Sequence, residues 1–241
     1  MEFDFDWSFF VLVELIEELK LNPTSNPKCL DIGSGAGTHT EILRAVGCEV
    51  TQLDKYSDSA EIKEGFLEHN FRDRYDIVFC SHVIEHQRNC GLFLDKIFDV
   101  LSDDGQLVMS APKHLATTMI EGHINSFVFP IFLQQLIYAG FDCRRGKFLS
   151  CGGVENSVIV PKAENYDLSE RDHDAFTWTA KHQERSFIPL ANRNFENNEV
   201  FFLNCIAWEK GPNESVQLAS RNNQTHGLTL KSSRWGVSVS L

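Results

Sequence analysis

The sequence contains no apolar run long enough to cross a bilayer. Its longest such stretch, Phe9 to Ile16, is broken by Glu14, whereas a spanning helix needs about 18 or more apolar residues in succession. A secretory leader is not expected either, because Glu2, Asp4 and Asp6 stand where such a segment carries Lys or Arg ahead of its apolar core. The expectation is a cytoplasmic protein with no membrane span. Positive charge is scarce: 22 basic against 34 acidic residues give a formal net charge of −12. That balance repels a phosphate backbone, so nucleic acid is not expected as a partner. The 7 cysteines stand at 29, 48, 80, 90, 143, 151 and 205 with no C-x-x-C pair. Neither a disulfide framework nor a zinc knuckle is indicated, and most read as small buried hydrophobes.

What is present is an ordinary globular composition, 42% hydrophobic and 23% charged. Residues 7–20 place Phe9, Leu12, Leu15 or Ile16, and Leu19 on one helical face with Glu14, Glu17 and Glu18 opposite. After a break at 22–27, short apolar runs alternate with amphipathic stretches. The runs are 29–33, 49–54, 75–81 and 105–112; the helical stretches are 38–46 and 92–101. Strands apolar on both faces, alternating with helices, predict a doubly wound α/β fold with a mostly parallel sheet. A helix is expected over 130–139 and further strands over 141–148, 156–162 and 200–210. The domains are read as an N-terminal helix covering the site (1–27), a core (28–162), an insertion or cap with the final strand (163–210) and a polar C-terminal segment (211–241).

The segment Cys29-Leu30-Asp31-Ile32-Gly33-Ser34-Gly35-Ala36-Gly37-Thr38 carries the most chemistry. Three glycines between a strand and a helix let the backbone turn tightly and approach a ligand, and the helix start offers free N–H groups. A dinucleotide fingerprint needs a sixth-position glycine, which here is Thr38, and a Walker loop needs G-K-[ST], which is absent. Asp31 attracts an ammonium group rather than a pyrophosphate. Asp54 closes the second strand about 20 residues on, where a carboxylate accepts both hydroxyls of a ribose. Adenosine carrying an amino acid meets both demands; a tight turn with no ligand is the alternative.

These residues, with Tyr75-Asp76-Ile77-Val78 leading into Ser81-His82-Val83-Ile84-Glu85-His86 and the later block 101–112, resemble the class I S-adenosylmethionine-dependent methyltransferases. The resemblance covers residues 28–162 and is narrower for the branch acting on small molecules, quinones, lipids and sugars. It implies a Rossmann-like, seven-stranded sheet with the last strand antiparallel, and S-adenosylmethionine lying across the carboxyl ends of the strands. By resemblance, Asp31 and the backbone of Gly33, Ser34, Gly35 and Gly37 hold the methionine moiety and Asp54 holds the ribose. Lys55 and Tyr56 flank the adenine. Phe66 and Leu67 follow Gly65 in the turn that packs on adenine, although the family often has an acidic residue where Phe66 stands. Ser81, His82 and Val83 line the donor beside the transferred methyl, and His86 faces the acceptor.

His82 to His86 also matches H-x-x-E-H, an inverted zinc-protease signature. That chemistry needs the motif within a long helix, whereas here it directly follows a buried strand, so no metal is expected. Methyl transfer asks the protein to align donor and acceptor and to exclude water, and a hydroxyl acceptor gains from a nearby base. His86 and His123 are the candidates, each with a plain loop hydrogen bond as the alternative; His114, His39 and Glu85 stand behind them, and Glu85 also suits orienting His86. Trp178, His182 and Arg185 share one face if 163–199 contains a helix. The expected activity is methyl transfer to oxygen or nitrogen of a small molecule or sugar. A non-catalytic binding subunit and an NAD-dependent oxidoreductase are the alternatives, and a homodimer is compatible with the sequence.

Overall fold

The computed structural model describes residues 2–3, 7–21, 26–115, 117–151 and 155–164, together with short strands at 192–194, 199–201, 205–208 and 239–240. Its sheet contains β1 (Lys28–Ile32), β2 (Glu49–Leu53), β3 (Tyr75–Ser81), β4 (Leu101–Pro112), β5 (Lys147–Cys151) and β6 (Glu155–Pro161). They lie in the order β5-β6-β4-β3-β1-β2. Strands β1 to β4 are mutually parallel, and β6, the last of the six along the chain, inserts antiparallel between β4 and β5. The segment Cys205–Trp208 pairs parallel with β5 at the sheet edge. Between β2 and β3 the chain adds only one parallel bridge, Ile62 to Leu53. These six strands form the body of the sheet, and the edge segment Cys205–Trp208 is the seventh strand along it.

Burial on both strand faces explains the layering. Along β1 and β3, Cys29, Ile77 and Phe79 join one apolar cluster with Phe9, Val11, Leu12, Leu15 and Ile16 of α1 (Phe9–Leu21) and Ile42 and Leu43 of α2 (Thr38–Ala45). Alternate residues Leu30, Ile32, Val78 and Cys80 join a second cluster with Phe93, Leu94, Ile97 and Phe98 of α3 (Cys90–Val100) and Phe132, Leu133 and Leu136 of α4 (Phe129–Tyr138). The period-2 alternation thus feeds two cores, one on each side of the sheet. Lys147 of β5 clasps α1 by salt bridges to Glu14 at 3.2 Å and Glu18 at 2.8 Å.

The strand expected at 141–148 begins only at Lys147. Ahead of it, Asp142 accepts hydrogen bonds from Arg144 N, Nε and Nη2 at 3.1, 2.8 and 2.9 Å. These local bonds give the backbone a turn in place of a ladder, and Phe141 makes a lone bridge to Lys162. The strand expected at 200–210 divides: Glu199–Phe201 pairs with Asn192–Asn194, and Cys205–Trp208 is the edge segment. Trp178, His182 and Arg185, and almost all of 211–241, lie outside the described residues. No helix among the described residues is long and apolar enough to cross a membrane.

Candidate functional site

β1 lies between β2 and β3, and ligands of such sheets bind beyond the carboxyl ends of the strands where the order reverses. The turn after β1 builds one wall. Gly33, Gly35 and Gly37 have φ of 71°, 54° and 84°, left-handed values that suit glycine. The turn is tied to the end of β2: Leu53 O accepts the N–H groups of Gly33 at 2.8 Å and Ser34 at 3.3 Å. A Cβ at Gly33 would overlap Val83, so this glycine lets the turn close onto the segment after β3. At Gly35 a Cβ would meet nothing within 4 Å.

Asp54 lies where the turn and β2 meet. Its carboxylate accepts the N–H groups of Gly35 at 2.9 Å, Tyr56 at 2.7 Å and Ser57 at 2.9 Å. Three amides thus hold it rigid beside the glycine turn. Ser59 Oγ adds a bond to Gly35 O at 3.4 Å, bringing the segment after Asp54 against the glycine turn. The hydroxyl of Ser34 is buried and has no hydrogen-bond partner. An orphaned donor beside an open glycine and a fixed carboxylate suits a polar, nucleoside-bearing ligand.

Asp31 is placed differently from Asp54. It is 1% exposed and accepts Thr40 Oγ1–H at 2.6 Å across the β1–α2 junction. Burial pushes its pKa up to about 6; the Thr40 hydrogen bond opposes the rise and the Asp54 charge adds to it. Phe66 is buried and packs against Phe93 and Phe71 at ring distances of 5.1 and 5.5 Å. Its ring belongs to the core, as an apolar residue would in place of an acid. Leu67 is exposed and its carbonyl accepts Lys96 Nζ, while Lys55 sits over the exposed Tyr56 ring.

The segment after β3 forms the opposite wall. His82 has a φ of 53°, and its ring is 2.8 Å from Glu155 and 3.5 Å from Glu85. Burial would lower its pKa, but the hydrogen bond to Glu155 and the charges of Glu155 and Glu85 outweigh burial and raise it to about 9. Glu155 also accepts Ser8 N–H at 3.0 Å, and Ser8 Oγ bonds Ser81 Oγ at 2.6 Å. The Trp7 ring lies 4.6 Å from that of His82, and the Trp7 carbonyl accepts His39 Nε2–H at 3.0 Å. Ser8 and Glu155 carry no signal in the sequence, because they meet from 147 positions apart.

Beyond this wall stands a histidine cluster. Glu85 is 0% exposed and neither carboxylate oxygen has a hydrogen-bond donor; His86 Nε2 is 3.7 Å from it. His86 donates through Nδ1 to Gly122 O at 2.8 Å and stands edge-on to His123 at 4.9 Å. His123 approaches His114 at 3.3 Å. Glu85, His86 and His123 offer ligand atoms within 4.8 Å of one another, a spacing that could hold a divalent cation. A protease-type H-x-x-E-H pair is excluded: Ile84–His86 is a short 3₁₀ turn, and the rings of His82 and His86 engage Glu155 and Gly122 respectively.

A doubly wound sheet with a glycine turn behind its first strand and a carboxylate just after the second has the class I S-adenosylmethionine-dependent methyltransferase fold. Residues 9–127 match the family model "Methyltransferase domain". Among curated relatives, the ubiquinone biosynthesis O-methyltransferase of Bradyrhizobium sp. (strain ORS 278) is 30% identical over 105 residues, 37% of this chain and 42% of that protein. The chain therefore spans less than half the length of that relative. Among solved structures, the 1,6-didemethyltoxoflavin-N1-methyltransferase of Burkholderia thailandensis, with bound 1,6-didemethyltoxoflavin and S-adenosylhomocysteine, has a TM-score of 0.54 at 17% identity, covering 65% of this chain and 80% of that one. The N-methyltransferase NodS of Bradyrhizobium japonicum WM9, in complex with S-adenosyl-L-homocysteine, gives 0.50 at 17% identity, with 63% and 85% covered. At such identities the structures speak for the fold.

Proposed function

We propose that this chain transfers the methyl group of S-adenosylmethionine to an oxygen or nitrogen of a small molecule. The observation that carries the reading is Asp54, held by three backbone amides, one of them from the glycine turn. In this reading Asp54 accepts the ribose hydroxyls, while Ser34 Oγ and the backbone of Gly33, Gly35 and Gly37 receive the amino-acid end. Asp31 supplies negative charge from beneath the turn. Lys55 and the exposed Leu67 border the adenine side, whereas the burial of Phe66 speaks for a structural role there. Ser81, His82 and Val83 form the wall opposite the turn. When bound, the donor supplies a methyl group on a sulfonium, already an excellent leaving group.

The chain's own contribution is then to align the acceptor, exclude water and remove a proton. His86 and His123 serve as bases, with Glu85 stabilising charge that develops on His86. Burial leads in lowering the pKa of His123, which keeps its ring neutral and able to accept. The acceptor is a phenol, an amine or a sugar hydroxyl. Residues 28–162 bind the donor, the N-terminal segment covers the site through Trp7 and Ser8 just ahead of α1, and 163–210 shapes acceptor choice. The buried thiols Cys29, Cys48, Cys80, Cys90 and Cys143, all free, favour a reducing compartment such as the cytoplasm. The test is S-adenosylhomocysteine release with a panel of phenols, catechols, sugars and primary amines. His86→Ala and His123→Ala are expected to keep donor affinity and to lower turnover toward an active acceptor by about 10²-fold or more. Unchanged turnover in both removes them as bases, and no release with any acceptor removes the activity.

A further inference from the structure

We propose that His114 is a positioning residue that fixes the tautomer of His123, leaving Nε2 of His123 as the free base. The inference rests on the reading of His123 as a base given above, and it adds the residue that selects the reacting atom. His114 Nδ1 lies 3.1 Å from the carbonyl oxygen of Leu115. A carbonyl only accepts, so Nδ1 carries the hydrogen, and in the neutral ring Nε2 keeps its lone pair. That Nε2 faces Nδ1 of His123 at 3.3 Å. Two lone pairs do not bond, so His123 Nδ1 donates and its Nε2 is left unprotonated.

The frame around this chain of bonds is itself held. The carbonyl of His114 accepts Ser126 Oγ–H at 2.9 Å, joining the two arms of the loop between β4 and α4. His86 obeys the same logic: its Nδ1–H is spent on Gly122 O at 2.8 Å, which leaves its Nε2 lone pair free. His114 and His86 thus flank His123, with ring centroids 5.3 and 4.9 Å away. A histidine without such a partner exchanges between tautomers. A ring of His123 carrying its hydrogen on Nε2 has no lone pair there for the acceptor's proton.

The experiment is ¹⁵N NMR of the imidazoles in the full chain above neutral pH, on wild type, His114→Ala and His114→Gln. Wild type is expected to carry the hydrogen of His123 on Nδ1. His114→Ala is expected to give mixed tautomers, and His114→Gln, whose amide oxygen accepts the same hydrogen, to restore one. Turnover with the acceptor found in the panel is expected to fall about ten- to a hundredfold in His114→Ala, part of the ~10²–10⁴-fold a positioned base supplies, with KM unchanged and recovery in His114→Gln. A wild-type hydrogen on Nε2, or a His123 tautomer indifferent to His114→Ala, overturns the proposal. A tautomer that is lost while turnover stays whole upholds the fixing of His123 and refutes its role as base.

Discussion

Alanine at Gly33 and at Gly35, introduced separately, distinguishes the architecture of the turn from its use. Both glycines have positive φ, 71° and 54°, where a residue with a Cβ costs about 1–2 kcal/mol. At Gly33 the new Cβ would also overlap Val83 Cγ2, and overpacking of that sort costs about 1–3 kcal/mol more. Gly33→Ala is therefore expected to destabilise by about 2–5 kcal/mol, a large share of the ~5–15 kcal/mol that holds a domain folded. At Gly35 no atom lies within 4 Å of the added Cβ, so only the backbone cost of about 1–2 kcal/mol remains. In the proposed reading the donor passes through that open space beside Asp54, and a methyl there displaces it. Urea unfolding gives the stabilities and calorimetric titration with S-adenosylmethionine the affinities. The expected pattern is a large midpoint loss for Gly33→Ala, and for Gly35→Ala a small one with donor affinity lowered about tenfold or more, that is about 1.4 kcal/mol. A Gly35→Ala protein that binds the donor like wild type, or a Gly33→Ala protein of wild-type stability, refutes the reasoning.

Other consequences follow from the second wall and the histidine cluster. The pKa of His82 rises from 6.5 to about 9 on folding, so its stabilisation is complete below pH 6.5 and is lost as pH climbs through 9. Urea midpoints of wild type are expected to decline across that window, by a few kcal/mol at about 1.4 kcal/mol per pH unit, and those of His82→Gln to stay flat. Glu155→Gln strips a buried partner from His82 and an acceptor from Ser8 N–H; urea unfolding is expected to register a loss of about 3–5 kcal/mol. Chelation by EDTA is expected to leave S-adenosylhomocysteine release unchanged if His86 and His123 act as bases. Lost turnover regained with a divalent cation instead puts a metal on Glu85, His86 and His123.

What could be read in advance was whatever is local. Asp31-Ile32-Gly33 through Gly37 announces its turn because the backbone angles require glycine, and Asp54 is legible because strand and acid are contiguous. Alternation in Tyr75–Ser81 exposes a strand buried on both faces, since each face carries its own apolar set. The failures are nonlocal or competitive. The packing of Phe66 on Phe93 and Phe71 is not legible in its own stretch of sequence. Residues 141–146 resembled a strand until Asp142 and Arg144 satisfied one another locally. His82 was assigned to the donor wall without its pairing to Glu155, 73 positions along the chain, because nothing in either residue's neighbourhood names the other.

Titrating wild type and Asp54→Ala with S-adenosylmethionine, and wild type with NAD, bears most directly on the central claim. The account predicts saturable heat from S-adenosylmethionine at a single site, none from NAD, and an affinity at least about tenfold weaker once the carboxylate is gone. Heat from NAD without heat from S-adenosylmethionine, or an Asp54→Ala protein that binds the donor as wild type does, contradicts it.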